Sequence, residues 1–279
     1  MSELKHPLDV YMRKGVPRIW CSGCGDGIIL KEFINALNEL KLDMDKVAVL
    51  SGIGCIGRFS GYTNTDSFHS THGRSIAVAT GVKVARPDLT VVVVSGDGDL
   101  FAIGGNHFIH AARRNVGLTV ICSNNFNYGM TGGQFGPTTL LEGYTTTTPY
   151  GNIENPLNLV YLAAAAGAVY VARWTTYHAR LLRGAIKKAL QKKGFSFVEI
   201  ISPCPQQYGR RNKMENPIEC MKWLKEKSVI QNRIDPAKAE VGIDKIVVGE
   251  FVDIEKPEFT DLLKKKIDFV QEKLRKKEG

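Results

Sequence analysis

The chain is organised around Val91-Val-Val-Val-Ser-Gly-Asp-Gly-Asp-Leu100 and its continuation, Asn124-Asn-Phe-Asn-Tyr-Gly-Met-Thr-Gly-Gly-Gln134. Residues 89–94 are a short apolar, β-branched run, the pattern of a strand buried on both faces of a parallel sheet. Residues 105–114 predict a helix, and 118–123 a second buried strand. Strand, crossover helix and parallel strand bring both carboxyl ends to one sheet edge, where open α/β folds hold ligands. Asp97 and Asn125 therefore meet on that edge. Together with the main chain of Asn127 they offer hard oxygen ligands, suited to a Mg²⁺ whose other positions go to phosphate and water.

The chain has six cysteines. In a chain with a cytosolic look, ligands or plain core residues are expected rather than disulfides. Cys21 and Cys24 stand among glycines in Trp20-Cys-Ser-Gly-Cys-Gly-Asp-Gly27, a setting that lets both sulfurs face one centre. A thioredoxin-like pair follows a strand and opens a helix, whereas only a short basic leader with Pro17 precedes this one. Cys55 lies in Gly52-Ile-Gly-Cys-Ile-Gly57, after a predicted strand at 47–51. Cys204 lies in Ser202-Pro-Cys-Pro-Gln-Gln-Tyr208, after a predicted strand at 196–201. Thiolates converging from three loops suit zinc or a [4Fe–4S] cluster. One C-x-x-C pair plus two isolated cysteines fits the cluster better, because structural zinc usually takes two close pairs. Cys122, inside a strand, and Cys220, in a predicted helix, read as structural.

Gly52-Ile-Gly-Cys-Ile-Gly57 also matches G-x-G-x-x-G. That fingerprint works only when its third glycine opens a helix facing a pyrophosphate. The polar Arg58-Phe-Ser-Gly-Tyr-Thr-Asn-Thr-Asp66 follows instead, so no nicotinamide site is expected. His72 and Arg74 stand at the start of a small-residue helix at 76–85, on the same edge as Asp97, within reach of a diphosphate or a developing charge. Residues 28–42 predict an amphipathic helix with Ile29, Phe33, Ala36 and Leu37 on one face. A helix-strand-helix-strand alternation fills 156–201. Beyond it come a basic loop, Tyr208-Gly-Arg-Arg-Asn-Lys213, a helix at 217–227, a strand at 245–252 and a charged helix at 258–276. The expected division is an α/β domain at 1–205 and an extension at 206–279 that packs on the core or on another subunit.

With 279 residues the chain can bury one substantial core. No apolar run reaches the roughly 18 residues of a membrane span. Met1-Ser-Glu-Leu-Lys-His lacks an apolar core, so a cytoplasmic location is expected rather than secretion. The formal charge of +9 is spread over separate basic clusters without aromatic interleaving. That excludes an obvious nucleic-acid surface and leaves a solvated basic surface or an acidic protein partner.

Gly-Asp-Gly followed by Asn-Asn about 25 residues later resembles the thiamine diphosphate signature. From Pro7 to Glu250-Phe-Val-Asp253 the chain resembles the β subunits of 2-oxoacid:ferredoxin oxidoreductases. The motifs that carry this, in order, are Trp-Cys-Ser-Gly-Cys-Gly, Gly-Ile-Gly-Cys, His-Gly-Arg, Gly-Asp-Gly-Asp, Asn-Tyr-Gly-Met-Thr-Gly-Gly-Gln and Ser-Pro-Cys-Pro. The wording looks most like the 2-oxoglutarate branch, with pyruvate and branched-chain enzymes as close relatives. The resemblance implies an α/β thiamine diphosphate-binding fold, a mostly parallel sheet with helices on both faces plus a C-terminal extension. It implies one [4Fe–4S] cluster on Cys21, Cys24, Cys55 and Cys204, and Mg²⁺ on Asp97, Asn125 and Asn127. Cofactor contacts carry over to Ile53, Gly54, Cys55, Ile56, Gly98, Asp99, Gly129, Met130, Thr131, Gly132, Gly133 and Gln134, and His72 and Arg58 are the candidate catalytic residues. Some relatives carry Lys where this chain has Gly132, so a substrate role resting on that Lys is absent. The implied partners are an α subunit bearing a pyrimidine-binding domain, further small subunits, ferredoxin, coenzyme A and a 2-oxoacid. A non-redox thiamine diphosphate decarboxylase and a zinc-stapled binding protein are the competing readings.

Overall fold

The computed structural model describes residues 6–278; the leader reading at residues 1–5 lies outside them. The strands are β1 (Val47–Ser51), β2 (Asp66–His69), β3 (Thr90–Gly96), β4 (Leu118–Asn124), β5 (Tyr170–Thr175), β6 (Ser196–Ile201), β7 (Ser228–Ile230) and β8 (Ile246–Asp253). The helices are α1 (Asp26–Leu40), α2 (Ser75–Ala85), α3 (Gly105–Arg113), α4 (Leu159–Ala165), α5 (Ala179–Gln191), α6 (Pro217–Lys227) and α7 (Phe259–Glu278). They form an eight-stranded sheet in the order β2-β1-β3-β4-β6-β5-β8-β7. The strands from β2 to β5 run parallel, and β8 pairs antiparallel to β5.

The valine run explains why this sheet is covered twice. Along β3 the side chains alternate between faces. Val92 and Val94 pack with Phe33 and Leu37 of α1 and Leu182 and Ile186 of α5. Val91 and Val93 pack with Ile76 of α2, Phe108 of α3 and Val160 of α4. Neither face can be left wet, so a hydrophobic layer of helices sits on each.

The later residues belong to the same sheet. Arg173 on β5 is fully buried. Its Nε lies 2.6 Å from Glu199 Oε2 on β6, and it also donates to the carbonyls of Ala239 (2.8 Å) and Val247 (3.2 Å). One guanidinium thus ties residues 239–247 to the central strands. Removing one member of a buried ion pair costs about 3–5 kcal/mol. Arg173→Met is therefore expected to lower the stability of the chain by that order in urea unfolding. A loss no larger than that of a surface substitution would contradict the assigned role.

Short irregular turns do the positioning that regular elements cannot. A 3₁₀ turn, Ile56–Gly61, follows the Gly52–Gly57 loop, so no α-helix opens on the third glycine. A wide helical turn, Gly98–Ile103, leads from β3 into α3. Strand β2, all of whose residues are exposed, has no apolar pattern to reveal it.

Candidate functional site

The strands β1, β3, β4 and β6 end together, and the loops after them enclose two adjoining cavities. The first, about 340 Å³, is walled by Cys21, Cys24, Cys55 and Cys204, with Trp20 and Asp26 among the other lining residues. The second, about 100 Å³, is walled by Ile53, Gly54, Cys55, Ile56, His72, Gly96, Asp97, Gly98, Asp99, Asn125, Asn127, Tyr128, Gly129, Met130 and Thr131. Cys55, Asn125, Gly129 and Met130 line both. A β-carbon placed on Gly129 would stand 3.4 Å from Cys204 Sγ and 3.5 Å from Asn127 Oδ1, so a residue from each cavity comes close to this one glycine.

Close backbone approach brings the cysteine loops together. A β-carbon on Gly25 would overlap the Ser202 hydroxyl, so the loop carrying Cys24 packs flush against the end of β6 and the loop carrying Cys204. The indole of Trp20 donates to the Cys55 carbonyl at 2.7 Å and lies edge-on to Tyr62 with centroids 4.9 Å apart. Trp20 therefore pins the Cys21 loop to the Cys55 loop. All six cysteines are free, and Cys122 and Cys220 are buried outside the lining. Burial, and after it the Asp26 carboxylate, pushes the Cys55 thiol up to about 12 and raises Cys24 as well. Thiols in such a setting stay protonated until a metal displaces the proton. Among the described residues, no three His, Cys, Asp or Glu side chains are close enough to hold one metal ion.

The second cavity has the donors of a diphosphate and Mg²⁺ site. Asp97 is buried, and burial pushes its carboxyl up to about 6 against hydrogen bonds from Thr138 and the Asn125 main chain. Both polar atoms of the Asn127 side chain are buried without a hydrogen-bond partner. Orphaned groups of this kind point to something that completes the site. A β-carbon on Gly98 would strike the ring of Tyr128, so only glycine lets that ring close over the cavity. Cofactor and metal donors fit the cavity in kind and position.

Asp99 holds the rim. Its Oδ1 accepts from the main-chain N–H of Ile53 (3.1 Å) and Gly73 (2.8 Å), and its Oδ2 from Ser95 (2.8 Å). His72 Nδ1 lies 2.8 Å from Oδ1 without a hydrogen bond between them. His72 faces the cavity. Arg58 does not: it is exposed on the 3₁₀ turn and lines neither cavity. Gly132, Gly133 and Gln134 are likewise absent from the walls. They close the loop behind it, with Gly133 N–H on Tyr128 O (2.9 Å) and Tyr128 N–H on Gln134 O (3.0 Å). Arg74 sits at the helix entry, clear of the lining.

Sequence reasoning missed the support behind Asp97. The Thr138 hydroxyl lies between Asp97 Oδ2 and Asn124 Oδ1, and Asn124 Nδ2 donates to Glu199 Oε1 at 2.8 Å. Glu199 in turn meets Arg173. A hydroxyl has one proton, and the carboxylate is its stronger acceptor. The chain of contacts runs from the core ion pair to Asp97. Thr138→Val removes the donor at constant shape. Losses behind a metal ligand are typically about 10–100-fold in affinity. That range is expected for thiamine diphosphate with Mg²⁺ in calorimetric titration, and unchanged binding would exclude a positioning role for Thr138.

Residues 52–200 match the thiamine pyrophosphate enzyme family, C-terminal TPP binding domain. The chain is 55% identical over 264 residues to the 2-oxoglutarate synthase subunit KorB of Methanocaldococcus jannaschii, covering 94% of this chain and 98% of that one. It is 42% identical to the 2-oxoacid:ferredoxin oxidoreductase 2 subunit beta of Aeropyrum pernix, over 82% of this chain and 69% of that one. The chain belongs to the β subunits of the 2-oxoacid:ferredoxin oxidoreductases. A solved 2-oxoglutarate:ferredoxin oxidoreductase from Magnetococcus marinus, with 2-oxoglutarate, coenzyme A and succinyl-CoA bound, superposes with a TM-score of 0.85 at 35% identity. It covers 97% of this chain and 92% of that one. For a β subunit of this family the matched residues 52–200 enclose the second cavity and one wall of the first.

Proposed function

We propose that this β subunit carries the redox half of a 2-oxoglutarate:ferredoxin oxidoreductase. It oxidatively decarboxylates 2-oxoglutarate to succinyl-CoA with coenzyme A, or runs the reverse carboxylation, in the cytoplasm. The observation that supports the reading is the wall of Cys55, Asn125, Gly129 and Met130 shared by the cavity that holds Asp97 and the cavity that holds four cysteines. A decarboxylase without redox chemistry has no use for the second of these.

In this reading Asp97, the Asn125 side chain and the Asn127 carbonyl hold Mg²⁺, while the 53–56 loop, Gly98, Asp99 and residues 129–131 enclose the diphosphate end. Gly132, Gly133 and Gln134 shape that loop from behind. Thiamine diphosphate, when bound, supplies the electron sink that lets a 2-oxoacid lose CO₂. His72, set against Asp99, is the side chain placed to move a proton or to meet developing charge. Arg58, exposed on its 3₁₀ turn, is left as a candidate to meet charge brought by substrate or the partner subunit. Cys21, Cys24, Cys55 and Cys204 hold one [4Fe–4S] cluster, the exit for single electrons to ferredoxin.

Ile53 and Met130 on the pocket lining are 39% and 47% exposed. Exposed apolar side chains around a polar cleft suit an obligate partner surface. An α subunit that brings the pyrimidine-binding domain covers this rim, and the β chain alone is inactive. The test compares the chain alone with the co-expressed complex, assaying coenzyme A-dependent ferredoxin reduction on 2-oxoglutarate, pyruvate and branched-chain 2-oxoacids. The complex is expected to prefer 2-oxoglutarate, and the chain alone to reduce nothing. Oxidation of 2-oxoglutarate by the chain alone with an artificial acceptor would overturn the need for a partner, and a preference for pyruvate would overturn the substrate.

A further inference from the structure

Helix α7 leaves the body of the protein after its first turn. Glu258 accepts from the N–H groups of Gly117 and Thr260, each at 2.7 Å, and Phe259 N–H donates to Asn115 O at 3.1 Å. These bonds root the helix beside the amino end of β4, on the sheet edge opposite the cofactor cavities. From Lys264 to Lys277 every residue is exposed. At 20 residues the helix is about 30 Å long. A bare helix of that length is marginal in water and takes most of its stability from a packed face.

Its apolar residues follow a pattern. Leu263, Ile267, Val270 and Leu274 recur at steps of four, three and four, the 3.5-residue repeat of a coiled-coil seam. Ile267, Val270 and Leu274 are 47%, 46% and 55% exposed. Phe269 lies off this seam, with the ammonium groups of Lys266 and Lys273 at 5.5 and 4.7 Å from its ring centroid. Those two lysines flank the ring, which is 50% exposed, while the seam has nothing on it.

The flanking charges select the occupant. The positions bordering the seam are Lys264, Lys266, Gln271 and Lys273, with no carboxylate among them. A second copy would set lysine against lysine or against Gln271, and the two chains each carry a formal charge of +9. We propose that α7 pairs with an amphipathic helix of a different subunit of the same complex, one whose apolar stripe is bordered by Asp and Glu. The proposal is independent of the cofactor reading, since it concerns the opposite edge of the sheet.

The test uses the native complex purified with all its subunits. A zero-length carbodiimide joins a lysine only to a carboxylate in direct contact. Cross-links from Lys264, Lys266 or Lys273 to Asp or Glu of another subunit are expected, together with slower amide exchange across residues 262–275 than in the free chain. Cross-links solely to a second copy of this chain, or equal exchange in both states, would overturn the proposal. So would tight binding of the free chain to anionic vesicles. The double variant Ile267→Glu/Leu274→Glu replaces exposed residues and so should leave the thermal midpoint of the free chain unchanged. It is expected to weaken subunit retention at least about tenfold, the scale of lost central apolar contacts at an interface. Full retention by this variant would also count against it.

Discussion

Cys204→Ala, purified anaerobically with its partner subunit, is expected to lose the iron–sulfur cluster while keeping the thiamine diphosphate site. Cys204 reaches the first cavity from a loop stiffened by Pro203 and Pro205. No spare thiol can replace it, because Cys122 is buried within β4 and Cys220 is buried in α6. Burial also pushes Cys220 up to about 11, which leaves it an inert thiol at neutral pH. Iron and acid-labile sulfide should fall to background, and the reduced protein should give no cluster signal by electron paramagnetic resonance. Ferredoxin reduction should drop by at least about a thousandfold, since the proposed cluster is the exit for single electrons. Binding of thiamine diphosphate with Mg²⁺ should stay within about threefold of wild type, a change of less than about 1 kcal/mol. Retained iron with an unchanged signal would remove Cys204 from the ligand set. Stoichiometric zinc in the wild-type protein would replace the cluster with a structural ion.

Asp97→Ala is expected to have the complementary effect. The carboxylate is the only charged ligand of the proposed Mg²⁺, so calorimetric affinity for thiamine diphosphate with Mg²⁺ should fall by more than about a hundredfold, or about 2.8 kcal/mol. Iron content should be unchanged. Folding offers a separate check with its own sign. Burial raises the Asp97 carboxyl to about 6, above its ordinary value. A carboxyl raised in this way supports the fold only when protonated, and its contribution is lost as pH rises through about 6. At pH 8 the charged group is a burden on the empty protein. The variant without cofactor should therefore be at least as stable there as wild type, with the advantage shrinking below pH 6. Loss of binding together with a large loss of stability would make Asp97 a structural residue instead.

Much of this site could be read from the chain because its parts lie at strand ends. The valine runs of β3 and β4 fix two neighbouring parallel strands, and so Asp97 and Asn125 must meet. The cysteines were legible for the same reason, since Cys55 and Cys204 each follow a buried strand. What was not legible depends on contacts between distant residues. Thr138 reaches Asp97 across 41 positions, and Asn124 reaches Glu199 across 75. Nothing in a run of threonines or in a strand glutamate marks those pairings. The place of β8 in the main sheet was equally hidden, because an antiparallel return to β5 is decided by non-local packing. Arg58, Gly132, Gly133 and Gln134 belong to the same motifs but line neither cavity. A 3₁₀ turn aims Arg58 outward, and the loop's own hydrogen bonds put the other three behind the wall.

The central claim is that one chain holds a diphosphate pocket and a cluster on the two sides of a shared wall. Crystals of the anaerobic complex with thiamine diphosphate and Mg²⁺, measured above and below the iron absorption edge, test it most directly. The account predicts an anomalous iron peak enclosed by Cys21, Cys24, Cys55 and Cys204, with diphosphate density at Asp97 across that wall. An iron peak elsewhere, a zinc peak between the cysteines, or a diphosphate bound away from Asp97 would contradict it.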